Sequence, residues 1–397
     1  MNKLSSSAGL RKVISIIGNR NAGKSSLLNA LLEQDVSIVS SEKGTTTDAV
    51  LKNYELIPVG PVSFYDTAGI DDVGELGDKR VKATQKAIKK SDLIIFVVGK
   101  EGLTAGIANM MRSYQLSGIS FIPVFNFADE IELDNYHRGV MHMYDGIAVS
   151  AKTGVGIEDL RQKIIEKISQ LEKDPKLVID LIKPHDIVVL VTPIDEASPK
   201  GRMILPQVQV LRELLDGDAV VLVTKETELK DTLLALKNKP QLVITDSQAV
   251  KEVVALVPDD VNLTTFSMLF ARAKGNFKQM LDGASVLNEL PENSRILIAE
   301  GCSHHITCND IGRVKIPNLI KNRAGKEFVF EFLSGSDFPE DLSGYDLVIH
   351  CGGCMLNRKE VQERMRQCAM QGVAVTNYGM VISWAQGVFD RAVKVLR

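Results

Sequence analysis

Short apolar runs alternate with amphipathic helical patterns along most of this chain. The apolar runs are rich in Val, Ile and Leu, and they cover residues 13–17, 62–65, 119–125, 187–191, 219–223, 241–244, 295–299, 346–349 and 373–376. Apolar residues at helical spacing occur between many of them, around residues 27–32, 81–88, 157–171, 208–215, 229–236 and 268–281. Strands that alternate with helices favour parallel sheets. The sequence therefore predicts an α/β fold throughout, with mostly parallel sheets.

A polar break divides this pattern into unequal parts. Residues 172–175 read Glu-Lys-Asp-Pro, which is typical of a linker. At about 150 residues per domain, a chain of 397 residues allows two or three domains. We predict three consecutive α/β domains, at residues 1–173, 174–266 and 267–397, of which the second and third are smaller parallel units. The middle one carries no catalytic group of residues, so we expect it to serve assembly, as a dimer interface or a spacer.

A glycine loop joins the first predicted strand to the first predicted helix. Residues 18–25 match the pattern GxxxxGK(S/T). In this strand–loop–helix context, backbone N–H groups and a helix N-terminus converge on phosphate. We expect Lys24 to reach the β- and γ-phosphates of a nucleotide and the Ser25 hydroxyl to bind Mg²⁺. The predicted nucleotide-binding residues of this P-loop are Asn19, Asn21, Ala22, Gly23, Lys24, Ser25 and Ser26.

Two further segments follow in the order that a P-loop GTPase requires. Residues 66–69 read Asp-Thr-Ala-Gly, where Asp66 can hold Mg²⁺ through water and the Gly69 N–H can sense the γ-phosphate. A polar stretch before them contains consecutive threonines at residues 45–47, and we predict that Thr46 completes the Mg²⁺ shell when GTP is bound. The predicted catalytic residues are Lys24, Thr46, Asp66 and Gly69.

The nucleotide base is predicted to contact the segment that follows the run at residues 119–125. Residues 126–129 read Asn-Phe-Ala-Asp, and they resemble the NKxD motif of GTPases with Phe127 in place of its lysine. Asp129 can accept hydrogen bonds from N1 and N2 of guanine. An aromatic ring can cover a purine face, so we expect guanine selectivity with altered affinity, while use of adenine stays open. The predicted base-binding residues are Asn126, Asp129, Ser150, Ala151 and Lys152.

Two details of these motifs point to one group of GTPases. Asn21 lies three residues before Lys24, and the apolar Ile70 follows Gly69, without the glutamine that positions water in Ras-like enzymes. Together with Gly-Thr-Thr at residues 44–46, these features resemble the TrmE/Era group. The resemblance implies that Asn21 helps to bind K⁺, which would stimulate GTP hydrolysis. The alternative is that Asn21 only caps the loop.

Composition limits the partners and the compartment. The formal net charge is −3 and 5% of the residues are aromatic, which argues against a dedicated nucleic-acid surface. No apolar run reaches the roughly 18 residues that a membrane helix needs. Residues 1–7 lack the apolar core of a signal peptide. We therefore expect a cytoplasmic protein with no nucleic-acid or membrane partner, whose cysteines bind metal rather than form disulfides.

Cysteine and histidine collect where two predicted strands of the last third end, at residues 295–299 and 346–349. The candidate metal ligands are Cys302, His304, His350, Cys351 and Cys354. A CxxC pair presents two thiolates to one metal or cluster across a short turn. In open α/β sheets, sites collect at the carboxyl ends of strands. Two neighbouring parallel strands would therefore bring these candidates together across the long gap in sequence.

Three thiolates plus a nitrogen suit either zinc or an iron–sulfur cluster. Zinc in a Cys₃His site is common, but each cysteine group here closes a strand of a unit large enough to have its own core. Three thiolates with an adaptable fourth ligand suit a [4Fe-4S] cluster with one labile iron. On the residues alone, both metals stay open.

The domain order and the cysteine pattern together resemble one family. CxH, a long gap and HCxxC, behind a TrmE/Era-like GTPase domain and a middle α/β domain, resemble the [FeFe]-hydrogenase maturation GTPases, the HydF family. The resemblance covers essentially the whole chain. It implies a [4Fe-4S] cluster on Cys302, Cys351 and Cys354, with His304 or His350 as a possible fourth ligand. It also implies a middle domain that forms a homodimer and a scaffold that carries a diiron subcluster precursor to apo-[FeFe]-hydrogenase, with radical-SAM hydrogenase maturases as partners.

A competing hypothesis is a zinc-stabilised TrmE/Era-type GTPase switch in RNA or ribosome maturation. Its GTPase half would look the same, but the chain lacks a basic, aromatic-rich region. In either case we expect GTP hydrolysis to act as a timing device for partner docking. Of the other candidates, His305 is expected to be a neighbour of the site and Cys308 a bystander thiol. Cys368 is expected to lie in the core, because it falls on the apolar face of a predicted helix.

Overall fold

The structure is a computed structural model that describes residues 11–33, 41–42, 50–67, 84–85, 87–171, 176–194, 203–301, 310–335 and 337–397. The chain divides into two compact units, residues 1–173 and 174–397, and each is described by itself.

Seven described strands form one sheet in the first unit. They are β1 (Lys12–Gly18), β2 (Ser41–Glu42), β3 (Val50–Leu56), β4 (Gly60–Asp66), β5 (Leu93–Val98), β6 (Phe121–Phe125) and β7 (Ile147–Ala148), in the order β2-β3-β4-β1-β5-β6-β7. The pairs β2–β3 and β3–β4 are antiparallel, and the other pairs are parallel. The central strands β1 and β5 are almost wholly apolar because both of their faces are buried.

Helices cover both faces of this sheet. They include α1 (Lys24–Glu33), α2 (Ala105–Leu116), α3 (Asn135–Met143) and α4 (Ile157–Gln170). One face packs against α1 and α4 through residues such as Leu27 and Leu160, and the other packs against α2 through Ile107 and Met111. The carboxyl ends of the parallel strands therefore open onto one edge, where the P-loop follows β1.

The second unit contains two four-stranded parallel sheets among its described residues. The strands of the first sheet and the helices that follow them are β8 (Ile187–Val191), α5 (Leu205–Asp216), β9 (Val220–Thr224), α6 (Leu229–Ala235), β10 (Leu242–Thr245), α7 (Val250–Leu256), β11 (Asn262–Thr265) and α8 (Phe266–Lys274). After α9 (Phe277–Val286), the second comprises β12 (Arg295–Ala299), α10 (Ile316–Ala324), β13 (Val329–Leu333), β14 (Leu347–His350), α11 (Arg358–Met370), β15 (Ala374–Asn377), α12 (Tyr378–Ala385) and α13 (Phe389–Val393). Short helical turns lie at Ile179–Leu181, Glu226–Glu228, Ser247–Ala249, Ile311–Lys315 and Lys394–Leu396.

These two sheets are an internal repeat. Their strand orders, β11-β10-β8-β9 and β15-β14-β12-β13, are the same when the strands are matched in chain order. The matched helices α8 and α12 also begin alike, because Thr265 accepts a hydrogen bond from the Met268 N–H and Asn377 accepts one from the Met380 N–H. One hydrophobic core, from Val178 to Leu396, runs through both repeats.

The predicted α/β fold, with a mostly parallel first sheet and two smaller parallel units, is confirmed. The sequence analysis did not predict the strands β2, β3, β5, β7, β11 and β13. The single helix predicted at residues 268–281 is wrong, because α8 ends at Lys274, before Gly275, and the Asn276 side chain caps a new helix, α9. None of the helices in the described part of the chain is long and apolar enough to cross a membrane. The predicted domain boundaries stay predictions.

Candidate functional site

The P-loop leaves the buried strand β1 and enters α1 with a tight backbone turn. Asn21 and Gly23 both have positive φ angles, +60° and +87°. A Cβ atom at Gly23 would lie 2.2 Å from Nδ2 of Asn126, so only glycine fits between the loop and its neighbour. The buried Lys24 ammonium donates to the carbonyls of Gly18 and Asn19, at 3.1 and 2.8 Å. The loop is thus already closed round the position where phosphate binds in this motif.

A hydroxyl and a carboxylate meet beside the P-loop. Ser25 Oγ donates to Oδ2 of Asp66, which ends β4, at 2.6 Å. The other oxygen, Oδ1, is buried and accepts no hydrogen bond from the described residues. A hard divalent cation prefers such oxygen ligands, and an unsatisfied buried carboxylate oxygen is costly without one. The pair therefore fits Mg²⁺, and its role as the Mg²⁺ site stays a prediction.

Asn126 links the predicted base-binding segment to the P-loop. Its side chain is buried, its Nδ2 donates to the Ala22 carbonyl at 3.1 Å, and its Oδ1 accepts from the Ala151 N–H at 3.1 Å. One amide side chain therefore holds together three segments that are far apart in sequence.

The carboxylate predicted to bind guanine is exposed and ionised. Asp129 lies in the loop after β6, and a hydrogen bond from the Ser150 side chain holds its pKa below the ordinary value. Nearby, Glu130 forms ion pairs with Lys100 and with Lys152, the latter at 3.4 Å. An ionised carboxylate at Asp129 can accept two N–H groups from a base edge.

Phe127 has an unusual backbone conformation in this loop. Its φ is +67°, which is uncommon for a residue with a side chain. The ring points toward the P-loop, since its Cζ would lie 3.5 Å from a Cβ at Gly23. The Lys100 ammonium lies 4.9 Å from the ring centroid. Sequence reasoning missed Lys100, because it follows β5 and no motif includes it.

Two of the predicted GTPase residues are not among those that the structure describes. Thr46 and Gly69 lie outside the described residues, whereas Asn21, Ser25 and Ser26 are exposed on the P-loop and its helix. The described members that come together are Asn19, Ala22, Gly23, Lys24, Ser25, Asp66, Asn126, Asp129, Ser150, Ala151 and Lys152.

The cysteine loop, defined here as residues 351–356, follows β14 in the second repeat. β14 pairs in parallel with β12, and Ala299 lies opposite His350. The predicted neighbourhood of these two strands is therefore confirmed. Gly301, the residue before Cys302 in the chain, donates its N–H to Cys351 Sγ at 3.0 Å, and the Gly353 N–H lies 3.4 Å from the same sulfur.

Burial raises the pKa of both thiols in the cysteine loop. Backbone N–H groups oppose this at Cys351, and the Lys274 ammonium opposes it at Cys354. A metal bound here would displace the thiol protons. N–H groups aimed at a sulfur, with a cation nearby, stabilise an anionic thiolate and are the surroundings that tune iron–sulfur clusters.

His350 is buried and both of its ring nitrogens have partners. Nδ1 lies 2.7 Å from the Cys351 carbonyl, and Nε2 lies 3.2 Å from a guanidinium nitrogen of the buried Arg364. Burial, with the charge of Arg364, lowers the pKa of His350 to about 4. The ring is therefore neutral, with Nδ1 donating and Nε2 accepting.

The other half of the predicted metal site, Cys302 and His304, lies outside the described residues, as do His305 and Cys308. The described residues alone contain no group of three or more acidic, histidine or cysteine side chains that could hold a metal ion. Cys351 and Cys354 are free thiols, and their donor set fits a cluster that needs one further thiolate from elsewhere. Cys368 is fully buried in the core, as predicted, and burial raises its pKa to about 12.

Comparison with known families covers nearly the whole chain. Residues 13–127 match the family described as 50S ribosome-binding GTPase. Residues 163–275 match the Hydrogen maturase F dimerization domain, and residues 278–395 match the Hydrogen maturase F tetramerization domain. The chain belongs to the hydrogen maturase F (HydF) family. The resemblance predicted from the sequence is thereby confirmed, and the first unit of this HydF-family chain is a GTPase domain of the TrmE/Era type.

The relatives MnmE, Der and Era each match part of this HydF-family chain. The tRNA modification GTPase MnmE from Thermosipho melanesiensis is 35% identical over 162 residues, which is 40% of this chain and 35% of MnmE. The GTPase Der from Clostridium kluyveri is 31% identical over 161 residues, which is 39% of this chain and 36% of Der. Among solved structures, Era from Aquifex aeolicus matches at 20% identity and a TM-score of 0.33, and the match covers 62% of this chain and 97% of the Era chain. The chain thus spans about a third of the length of MnmE and Der.

Proposed function

We propose that this chain is a GTP-hydrolysing scaffold that binds a [4Fe-4S] cluster in its second unit. It would assemble or carry the diiron subcluster precursor and transfer it to apo-[FeFe]-hydrogenase. The observation that carries the proposal is the Cys351 sulfur, which accepts two backbone N–H groups at the end of β14 in a HydF-family chain. One of those donors is the residue next to Cys302.

The first unit would bind and hydrolyse GTP with Mg²⁺. Lys24 would exchange its carbonyl partners for the β- and γ-phosphates, and Ser25 with Asp66 would hold the metal. Asp129 would select guanine, while the Phe127 ring and Asn126 join its loop to the P-loop. Thr46 and Gly69 would respond to the γ-phosphate, so that hydrolysis changes the docking of partners.

Potassium is part of the proposal for the P-loop. Asn21 is exposed, and its positive φ places it at the turn of the P-loop before α1. An amide oxygen there suits K⁺ beside the phosphates. We expect hydrolysis to be faster with K⁺ than with Na⁺ at equal ionic strength.

The second unit would hold the cluster through Cys302, Cys351 and Cys354. The cluster would supply a labile iron to which cargo can attach. Of the two histidines considered for the fourth position, we favour His304, since both nitrogens of His350 already have partners. Backbone N–H groups from Gly301 and Gly353 would stabilise the thiolate of Cys351.

The chain would act as a homodimer. β9 lies at an edge of its sheet, and its Val220 and Val223 side chains are 50% and 46% exposed. An apolar edge strand is a ready template for pairing with a second copy. It lies within the segment that matches the dimerization domain. The radical-SAM maturases and apo-[FeFe]-hydrogenase would be the other partners, in the cytoplasm.

Anaerobic purification tests the scaffold. The expected protein is brown, contains about four irons and four sulfides per chain, and passes activity to apo-[FeFe]-hydrogenase after incubation with the maturases. Colourless protein with one zinc per chain would overturn the cluster and favour the zinc-stabilised GTPase switch in RNA or ribosome maturation. A GTPase assay on the same sample reports the first unit separately.

A further inference from the structure

The end of helix α8 is fastened to the cysteine loop by one lysine. Lys274 is the last residue of α8, and its half-buried ammonium donates to the carbonyls of Gly353 and Leu356, at 2.9 and 2.8 Å. We propose that Lys274 is a positioning residue for the cluster: it fixes the shape of the cysteine loop and places a positive charge beside the thiolates. This inference rests on the proposed cluster function.

The two carbonyls are those that set the shape of the loop. The Gly353 carbonyl also accepts the Leu356 N–H, at 3.2 Å, which closes the turn. It belongs to the peptide group that joins Gly353 to Cys354. The Gly353 N–H on the other side of the residue points at Cys351 Sγ. Holding this carbonyl therefore restrains both the N–H···S contact and the direction in which Cys354 leaves the turn.

The conformation at Gly353 makes such a restraint useful. Its φ is +63°, a region that glycine visits freely but does not prefer over others. Without an outside partner, the loop could exchange this turn for alternative ones. Hydrogen bonds that a charged ammonium donates to carbonyls are stronger than those that a neutral group donates. Lys274 thus selects one loop shape before any cluster binds.

The charge of Lys274 has a second effect. Three thiolates and a [4Fe-4S] core carry net negative charge, which increases when the cluster is reduced. A cation at the loop, only partly screened by water, stabilises the reduced state more than the oxidised state. The Phe270 ring, 5.4 Å from the ammonium, covers one side of it. The lysine is therefore expected to raise the reduction potential of the cluster.

The internal repeat indicates that the lysine is not needed to end this helix. When Thr265 is matched with Asn377, the position equivalent to Lys274 is Gln386, which directly follows the last residue of α12, Ala385. That helix terminates normally with a neutral residue. Lys274 also lies within the segment that matches the dimerization domain, whereas the cysteines lie in the tetramerization segment. The cluster site therefore draws a residue from each of the two matched segments.

The test uses the full chain, reconstituted anaerobically with iron and sulfide. The variants are Lys274→Met, Lys274→Gln and Lys274→Arg, and the control is Lys278→Met, which removes an exposed lysine of α9 with the same change in charge. The measurements are iron per chain, the midpoint potential of the cluster by EPR-monitored titration, and the rate of iron loss to a chelator.

We expect Lys274→Met and Lys274→Gln to lose iron about tenfold faster than the parent chain. Their midpoint potential should be more negative, and Lys274→Arg should restore the potential. If the methionine variant does not fold, the glutamine variant decides, because glutamine occupies the equivalent position, Gln386, just after α12 in the same unit. Potentials and release rates equal to those of Lys278→Met would overturn the inference. If the parent chain itself holds no cluster, the proposed function fails instead.

Discussion

In both the P-loop and the cysteine loop, a lysine ammonium holds the backbone in one conformation, but the lysine comes from a different part of the chain in each. Each follows a buried parallel strand, contains a glycine at positive φ, and has a lysine ammonium that donates to two backbone carbonyls. In the P-loop, Lys24 bonds the carbonyls of residues five and six positions earlier in the chain. In the cysteine loop, Lys274 lies 79 and 82 residues from its partners. The first arrangement is local, and the second exists only once the unit has folded.

This difference decides what happens when the ligand binds. Lys24 belongs to the loop that cradles the ligand, so it can leave its carbonyls for phosphate. Lys274 comes from another element and can remain on its carbonyls while the thiolates take the metal. The P-loop lysine is therefore part of the chemistry, whereas the lysine of the cysteine loop supports it.

The largest expected effect separates the two loops completely. Lys24→Ala removes the ammonium that is expected to contact the β- and γ-phosphates, so GTP hydrolysis should fall about 10²–10³-fold. Iron content should be unchanged. Steady-state phosphate release and iron analysis on the same preparation check both. Arg112→Ala, an exposed cation on α2, is the matched control. Loss of iron together with hydrolysis would show that the loops are not independent.

The reverse experiment acts on the cysteine loop. Cys351→Ser replaces the expected cluster ligand that two N–H groups stabilise. Loss of a supporting residue around a metal site lowers metal affinity ~10–100-fold, and loss of a ligand should lower it at least as much. GTP hydrolysis should stay within twofold, on the order of experimental error. Cys368→Ala, which removes a buried core thiol, should keep its iron. Equal iron in the serine variant and the parent would exclude Cys351 as a ligand.

A smaller effect is expected where the P-loop meets the base-binding loop. Asn126→Ala leaves the Ala22 carbonyl and the Ala151 N–H without their buried partner, at a cost of about 1–3 kcal/mol. The loss should appear both in the free energy of unfolding and in GTP affinity. Chemical denaturation and nucleotide titration measure them. Asn135→Ala, at an exposed position that begins α3, should change neither.

The smallest effect tests the backbone of the cysteine loop. Gly353→Ala and Gly372→Ala both place a side chain at positive φ, +63° and +68°, so each should lower the free energy of unfolding by about 1–2 kcal/mol. Only the first lies in the cysteine loop. Faster iron release should therefore follow Gly353→Ala alone, and equal release from both variants would contradict the role of this turn.

The same contrast explains how much the sequence could reveal. The P-loop, Asp66 and the residues at the ends of β6 and β14 were predictable, because each is fixed by a short motif or by the apolar strand before it. The strand β13 was missed, since Glu331 interrupts its apolar run and pairs with Arg295 instead. Lys100 and Lys274 were missed because their partners are distant in sequence. The hydrophobic periodicity of a sequence predicts which face of an element is buried, but it does not predict a contact that depends on how α8 packs on the second sheet.

The core shared by the two repeats has a consequence for dissecting this chain. Its buried residues extend from Val178 to Leu396 without a division at the boundary between the two matched segments, near residue 276. Elements that bury the same apolar surface unfold cooperatively. Residues 174–397 should therefore melt in one transition, and truncation near residue 276 should yield two insoluble fragments rather than two autonomous ones.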